Sequence, residues 1–474
     1  MNTKVLFCAS EVAPFAASGG LADVAGSLPV YLNEKGCDVR VILPLYAKVN
    51  KEWRAQMRYI TNFTVQLSWR NEYCGLFELQ NRGVTYYFLD NERYFKRDNL
   101  YGYIDDGERF AFYSKAVLET LCRIDFEPQI IHCNDWQTAL IPVYLRQYRS
   151  VEKLANVKTL FTIHNIQFQG KYDPYILGDL FGLPNEDLPL MTWDGCLNLM
   201  KAAIELCDKV NTVSPTYAKE ILDPWYSFGL DSLLKGYTFK LCGILNGLDY
   251  NVYNPETDPN TAEHFSAEKL EGKKACKKAI LEEFGLPDDG RPLIAMISRL
   301  TAQKGLDLVD YSLDSILGSD MRFIMLGTGD SQYEEAFRGF AERNPGKCSV
   351  KIAFLPALSK KMYAGADIFL MPSKTEPCGL AQMMAMRYGT VPIVRETGGL
   401  ADSVKDCSAG DGWGFTFASY NADDMLNAVL RANDLYTNHP DDWENLVKKT
   451  MSIDYSWQNA AGSYLGLYEE MKNL

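Results

Sequence analysis

Arg299 and Lys304 stand five positions apart in Ser298-Arg299-Leu300-Thr301-Ala302-Gln303-Lys304-Gly305. This segment closes one apolar run and opens a helical pattern. A guanidinium fork and an ammonium point charge at the carboxyl end of a strand suit a diphosphate leaving group, where negative charge grows. Solvated surface charge is the other reading, and the strand-end position makes the two even. Three loops have the make-up of anion cradles. In Ala16-Ala17-Ser18-Gly19-Gly20-Leu21-Ala22-Asp23, paired glycines let backbone N–H groups approach an anion at a helix start, or simply make a tight turn. In Glu376-Pro377-Cys378-Gly379-Leu380, proline at a first helical position predicts a helix beginning there, with Glu376 as ligand or cap just outside its positive end. Thr397-Gly398-Gly399-Leu400-Ala401-Asp402 repeats the Gly-Gly pattern before an apolar helix.

Asn134-Asp135-Trp136-Gln137 and His164-Asn165 each follow a predicted strand. A carboxylate beside an indole is a sugar-recognition pairing, since the acid takes hydroxyls while the ring covers a sugar face. His164 reads equally as a satisfied core histidine. Tyr101-Gly102-Tyr103, with Tyr86, Tyr87, Phe88, Tyr94 and Phe95, is a ring-rich stretch. Sugar stacking is one use for it, and core packing is the better reading of any single ring.

Several chemistries are excluded. Gly327-Thr328-Gly329-Asp330 lacks the third glycine of a dinucleotide fingerprint, because position 332 is Gln, and no Gly-Lys-Ser/Thr triplet exists. The four histidines are scattered without H-E-x-x-H spacing, so no metal site is expected. The 12 cysteines form no C-x2-C pair and predict reduced, mostly buried thiols in a cytoplasmic protein. A net charge of -13 disfavours nucleic acid, and no uncharged run reaches the ~18 residues of a membrane span. The apolar run near the start stops at Glu11, too short for a signal peptide.

The elements that must position these residues alternate. Apolar runs at 4–8, 39–43, 130–133, 159–163 and 210–213 read as buried strands, with helical spacing between them. The pattern restarts at 293–297 and continues through 323–326, 350–353, 368–371 and 391–394. Fully apolar strands alternating with helices predict parallel sheets covered on both faces. Tyr253-Asn254-Pro255-Glu256-Thr257-Asp258-Pro259-Asn260 is a loop or linker between the halves. The chain, 474 residues long, therefore reads as α/β, with two Rossmann-like doubly wound domains. They span residues 1–246 and 247–455. Ligands of such folds bind at the carboxyl ends of strands, which predicts a site in a cleft between the two.

In this order and spacing the motifs resemble those of the bacterial glycogen synthase and plant starch synthase family, from Lys4 to about Tyr468. The carriers are Ser18-Gly19-Gly20-Leu21-Ala22-Asp23-Val24, Asn134-Asp135-Trp136-Gln137-Thr138-Ala139, His164-Asn165-Ile166 and Val213-Ser214-Pro215-Thr216-Tyr217. Leu245-Asn246-Gly247-Leu248-Asp249, the Arg299–Lys304 segment, Glu376-Pro377-Cys378-Gly379-Leu380 and Thr397-Gly398-Gly399-Leu400 complete the set. The resemblance implies a GT-B fold, whose first domain serves the glucan acceptor and whose second serves the nucleotide-sugar donor. It also implies a last helix, 456–474, that crosses back to the first domain. The implied activity is metal-independent, cofactor-free, retaining transfer of glucose from a nucleotide sugar to the 4-hydroxyl of an α-1,4-glucan end. ADP-glucose is the expected donor, on the bacterial and plant branch.

The resemblance implies residue roles as well. Arg299 and Lys304 stabilise the departing diphosphate, aided by backbone donors at Cys378, Gly379, Leu380 and Gly20. Glu376 holds the donor glucose and favours positive character at its reacting carbon. His164 contacts that glucose, with its carbonyl facing the same carbon. Asp135, Asn165 and Asn246 position sugar and phosphate. Phe354 stacks on the base, where relatives often carry Tyr. Ser18, Gly19, Asp23 and Thr397 complete the substrate contacts, with Tyr101 and Tyr103 along an open acceptor groove. Two positions depart from the pattern. Ala17-Ser18 replaces the usual Lys-Thr or Lys-Val, and Lys374-Thr375 replaces Arg-Phe. Position 384 is Met, so no carboxylate pair of the hydrolase type is available. Loss of the Lys at 17 keeps two alternatives open, a UDP-glucose-dependent synthase and a catalytically weak glucan-binding homologue.

Overall fold

The apolar runs become strands because β-branched and aromatic side chains, buried on both faces, fit a sheet sandwiched by helices. The computed structural model describes residues 2–474. The chain divides into two units, one running to Gly247 and rejoined by Trp457–Leu474, the other spanning Leu248–Ser456.

The first unit holds β1 (Lys4–Cys8), β2 (Asp38–Pro44), β3 (Arg58–Leu67), β4 (Arg70–Asn81), β5 (Val84–Asp90), β6 (Ile130–Asn134) and β7 (Lys158–Ile163). The short β8 (Lys171–Tyr172), β9 (Thr192–Trp193) and β10 (Cys196–Asn198) follow, then β11 (Lys209–Thr212) and β12 (Leu241–Gly243). Among the described residues the main sheet has nine strands, in the order β12-β11-β7-β6-β1-β2-β5-β4-β3. The order reverses between β1 and β6, which makes that pair the switch point where ligands of such sheets bind.

The sheet is mixed rather than wholly parallel, because β3 and β4 run antiparallel at its edge. The β4–β5 turn is Arg82-Gly83, both at positive φ (48° and 75°), the backbone a two-residue hairpin demands. Along β3, buried Phe63, Val65 and Leu67 alternate with exposed Asn62, Thr64 and Gln66. That one-sided pattern marks an edge hairpin and lacks the continuous apolar run that betrays a parallel strand. Tyr86, Tyr87, Phe88, Tyr94 and Phe95 are all buried, so packing is their use.

The helix Trp457–Lys472 contributes Trp457, Ala461, Tyr464, Tyr468 and Met471 to the core of the first unit. Tyr468 bonds His132 Nδ1 at 2.8 Å, and His132 Nε2 bonds Thr162 Oγ1 at 2.6 Å. His132 is thus a satisfied core histidine at the centre of β6, and burial holds its pKa well below the usual value.

The second unit is simpler. β13 (Leu293–Ile297), β14 (Arg322–Gly327), β15 (Cys348–Ile352), β16 (Ile368–Met371), β17 (Val391–Arg395) and β18 (Phe415–Phe417) pair in parallel, in the order β15-β14-β13-β16-β17-β18. Its switch point lies between β13 and β16. The 253–260 segment is a loop bound into this unit: buried Asp258 accepts from Tyr388 and pairs with Lys360 at 3.2 Å. Among the described residues no helix is long and apolar enough to cross a membrane.

Trp457→Ala should destabilise the first unit by about 3–5 kcal/mol, the usual loss for emptying a buried aromatic site. Urea unfolding should show the first unit melting earlier, and an unmoved transition would mean that the last helix is a surface appendage.

Candidate functional site

Each unit gathers its chemistry at its own switch point. In the second, the loops after β13 and β16 enclose a cavity of ≈ 160 Å³ lined by Arg299, Lys304, Ser373, Glu376, Gly379 and Leu380, among others. Lys304 Nζ lies 2.6 Å from Glu376 Oε2, and Ser373 Oγ donates to the same oxygen at 3.0 Å. Glu376 is only 7% exposed, so the pair is largely withdrawn from water, where charge–charge attraction is strong. Arg299 is exposed at the cavity wall.

The two loops are fastened together. The Gln303 amide donates to Thr375 O and Oγ1, both at 3.1 Å, and Lys374 N donates to Gln303 O at 2.8 Å. Gly305, at φ 70°, comes so close to the other loop that a Cβ would sit 2.1 Å from Pro372 O. Only glycine fits there. Gln303 does not stand out in the sequence, because its partner Thr375 lies 72 positions away, and Ser373, three positions before Glu376, carries no signal of its own.

Two loop expectations change. No helix begins at Pro377. Gly379 turns left-handed at φ 71°, and the helix starts at Ala381, after Leu380. The Thr397-Gly398-Gly399 glycines serve packing. A Cβ on Gly398 would lie 2.0 Å from Glu376 O and one on Gly399 2.1 Å from Cys378 O, while Gly399 N–H donates to Glu376 O at 3.1 Å. Thr397 is fully buried and does not line the cavity, and neither does Cys378. The third glycine loop therefore holds the second in place. Phe354, 83% exposed, stands on the loop after β15.

In the first unit, the segment after β1 folds back on itself. Glu11, buried, accepts from Ser18 N at 2.5 Å and Ser18 Oγ at 2.7 Å. The helix Gly20–Glu34 starts directly behind Gly19, as the Gly-Gly pattern predicts, and a Cβ on Gly20 would meet open space. Glu11 was not singled out in the sequence, although a carboxylate three residues past a strand end was the available signal.

Asp135 follows β6 at φ 55° and ψ 178°, a conformation that costs a residue with a side chain about 1–3 kcal/mol. Its carboxylate is the reason it is held there, accepting the His164 N–H at 2.8 Å. The Asn165 N–H points to the same oxygen at 3.5 Å. Burial pushes the Asp135 carboxyl up to about 7, against these donors and with Glu11 adding to the rise. Burial, then Glu11, pushes Asp23 up to about 6. His164 is driven down to about 3 by burial and is neutral at physiological pH. Its Nε2 lies 2.9 Å from Asn134 Oδ1, an acceptor, so Nε2 carries the proton and Nδ1 is left as a lone pair.

The remaining expected residues are less uniform. Tyr101 bonds Ser10 Oγ at 2.8 Å through its hydroxyl. Tyr103 is not a bare stacking face: Arg97 and Arg109 lie 4.9 and 5.1 Å from its ring centre. Asn246 is buried, and its Oδ1 has no hydrogen-bond partner among the described residues. Among those residues no cluster of three or more His, Cys, Asp or Glu could hold a metal ion.

The starch synthase catalytic domain family matches residues 4–236, and glycosyl transferases group 1 matches 278–450. A glycogen synthase of Geobacillus thermodenitrificans is 48% identical over 99% of this chain and 98% of its own length. One from Bacillus cereus is 46% identical over 99% of each. The chain belongs to the glycogen synthase and starch synthase family. The catalytic domain of starch synthase IV from Arabidopsis thaliana, solved with ADP and acarbose, superposes with TM-score 0.93 at 34% identity over 100% of both chains. A sucrose-phosphate synthase from Thermosynechococcus elongatus, at 17% identity and TM-score 0.61, shares the fold. The protein is therefore a two-domain GT-B glycosyltransferase.

This family member buries Asp135 with a raised pKa, which has a pH signature. An acid that binds its proton more tightly when folded costs stability once it must ionise. That stability is lost as pH rises from the unfolded value near 3.8 toward about 7. Asp135→Asn keeps an acceptor for His164 N–H and removes the titration. Denaturant midpoints should therefore shift in the variant's favour between pH 4 and 7 and run parallel above. A pH-independent difference would mean that the carboxylate is ionised throughout.

Proposed function

We propose that the protein transfers glucose, with retention and without a metal ion, from ADP-glucose to the non-reducing 4-hydroxyl of an α-1,4-glucan. The observation that carries this reading is the second unit's cavity, with Arg299, Lys304 and Glu376 on one wall system. Two cations there meet the charge that grows on a departing diphosphate, supplying what a metal would otherwise supply. Glu376, bonded to Lys304 and Ser373, takes sugar hydroxyls and stabilises a positive sugar carbon. Both of those bonds reach one oxygen, which leaves Oε1 for the sugar. The absence of a second carboxylate at Met384 argues against a hydrolase-type covalent route.

Backbone donors at Gly379 and Leu380 complete the phosphate contacts, with Phe354 as the base platform. The first unit receives the glucan. Asp135 and Asn165 position sugar and phosphate groups, and the neutral His164 contacts the donor glucose, its carbonyl facing the reacting carbon. Asn246 Oδ1 accepts from a sugar hydroxyl. The 12 free thiols suit the cytoplasm. ADP as the nucleotide rests on the starch synthase solved with ADP. Ala17 favours a second reading, a glucan-binding homologue that turns over weakly, because the Gly19-Gly20 loop carries no lysine.

Nucleotide release with glycogen, from ADP-glucose and UDP-glucose in parallel, tests these readings. Glycogen-dependent ADP release is expected. UDP release instead would replace the donor, and silence with both from folded protein would favour the binding homologue. Glu376→Gln should lower kcat by ~10²–10³-fold, as loss of a transition-state contact does, while changing nucleotide affinity little. Equal losses in both would remove Glu376 from the chemistry. Lys304→Ala should slow single turnovers by a similar factor, and an unchanged rate would exclude its role.

A further inference from the structure

One buried amide stands behind the Cys378-Gly379-Leu380 loop of the second unit. Gln382 is the second residue of the helix Ala381–Arg387, is wholly buried, and does not line the cavity that holds Arg299, Lys304 and Glu376. Its Nε2 donates to Cys378 O at 3.2 Å, to Gly379 O at 3.0 Å and to Ser403 Oγ at 3.0 Å. The Ser403 proton goes to Gly399 O at 2.6 Å, so that hydroxyl oxygen accepts from Gln382. All three neighbours of Nε2 are therefore acceptors, which fixes the end of the amide that faces the loop. Two protons serve three acceptors, so one bond is shared.

The other end of the amide is left over. Gln382 Oε1 is buried and has no hydrogen-bond partner among the described residues. A buried acceptor without a partner costs stability, and an apolar side chain of similar shape avoids that cost. Filling the core therefore does not account for a glutamine at this position. What the amide alone supplies is a donor that reaches two successive backbone carbonyls. It packs directly against the loop, since a Cβ on Gly379 would sit 2.6 Å from Gln382 Oε1.

Peptide geometry turns that grip into an orientation. A trans peptide unit is planar, with its C=O and N–H directed oppositely. Holding Cys378 O toward Gln382 turns the Gly379 N–H away from it, and holding Gly379 O does the same for the Leu380 N–H. Gly379 and Leu380 both line the cavity. Gly379 at φ 71° precedes Leu380 at φ -118° and ψ -27°, a left-handed residue followed by a right-handed one. Successive residues of opposite hand bring neighbouring N–H groups round toward one anion. A glycine by itself leaves such a backbone free to rotate, and the amide removes that freedom. Through Ser403 the same amide reaches Gly399, whose N–H donates to Glu376 O at 3.1 Å.

We propose that Gln382 is a positioning residue for the transfer, a proposal that rests on the reading of a nucleotide diphosphate in this cavity. It touches no substrate. Its amide aims the Gly379 and Leu380 N–H groups at the terminal phosphate of the departing nucleotide, so that neither peptide has to turn as negative charge grows there.

The test uses Gln382→Met, which keeps the volume and removes the donor, and Gln382→Asn, whose amide is one methylene too short to reach. Calorimetry gives the affinity of each protein for ADP and AMP, and for UDP and UMP. The ratio within a pair isolates the terminal phosphate, whichever base the protein takes. Wild type should prefer the diphosphate. In Gln382→Met that preference should shrink about tenfold, the scale of one hydrogen bond to a charged group, with monophosphate affinity unchanged. In steady state, kcat should fall by a similar factor while KM for glycogen holds. A merely structural defect would weaken mono- and diphosphate together, and that parallel loss would overturn the proposal. So would an undiminished diphosphate preference in a variant that melts cooperatively. Should the Met variant not fold, the Asn variant carries the same expectation. Equal affinity of wild type for mono- and diphosphate in both pairs would instead sink the reading of the cavity, and the proposal with it.

Discussion

The second unit is organised around one buried ion pair, Lys304 Nζ with Glu376 Oε2. Two opposite charges withdrawn from water are stable only when geometry and further hydrogen bonds offset desolvation. That requirement reaches outward. Ser373 must donate to the carboxylate, Gln303 must join the two loops, and Gly305 must let the backbones touch. Gly398 and Gly399 must then bring a third loop up behind Glu376 and Cys378. Several features that look like independent phosphate signals are thus one support structure for a single carboxylate and a single ammonium.

The first unit solves a different problem. Its switch point collects several carboxyl groups, Glu11, Asp23 and Asp135. Glu11 is held by Ser18 through two donors, while Asp135 is held by backbone N–H groups at the expense of a strained φ. Burial, with repulsion from Glu11, raises Asp23 and Asp135, and burial keeps His164 neutral. Buried carboxyl groups held by backbone and hydroxyl donors present acceptors of a kind that hydroxyl-rich ligands meet. The buried aromatic helix Trp457–Lys472, tied to β6 by Tyr468 and His132, fixes the strands from which those groups project.

Much of this was legible beforehand because strand ends are local features. The runs at 4–8, 130–133, 159–163, 293–297 and 368–371 are strands, and the side chains following them gather at the two switch points. Other features were not legible, and the reasons are specific. Pro377 suggested a helix start, but the left-handed Gly379 lies between it and the helix. Thr397-Gly398-Gly399 has the composition of an anion loop, yet its glycines answer to backbone atoms of another loop. The edge hairpin of β3 and β4 alternates polar and apolar residues and so escapes a search for fully apolar strands. Tyr103 suggested a stacking face, and two arginines six positions to either side, Arg97 and Arg109, lie over its ring.

By itself, then, the sequence determined the alternation of apolar strands and helices, and hence two doubly wound units. It also determined which side chains with usable chemistry stand just past strand ends. Those are short-range matters, set by side-chain shape and hydrophobic period. Only the tertiary structure decided which of these residues meet. Lys304 and Glu376 are 72 positions apart and come together because β13 and β16 are neighbours at a reversal of strand order. The same adjacency of β6 and β7 places His164 N–H on the Asp135 carboxylate. Burial then decided protonation: a histidine kept neutral and two aspartates raised are properties of a desolvated position, which no spacing along a chain encodes.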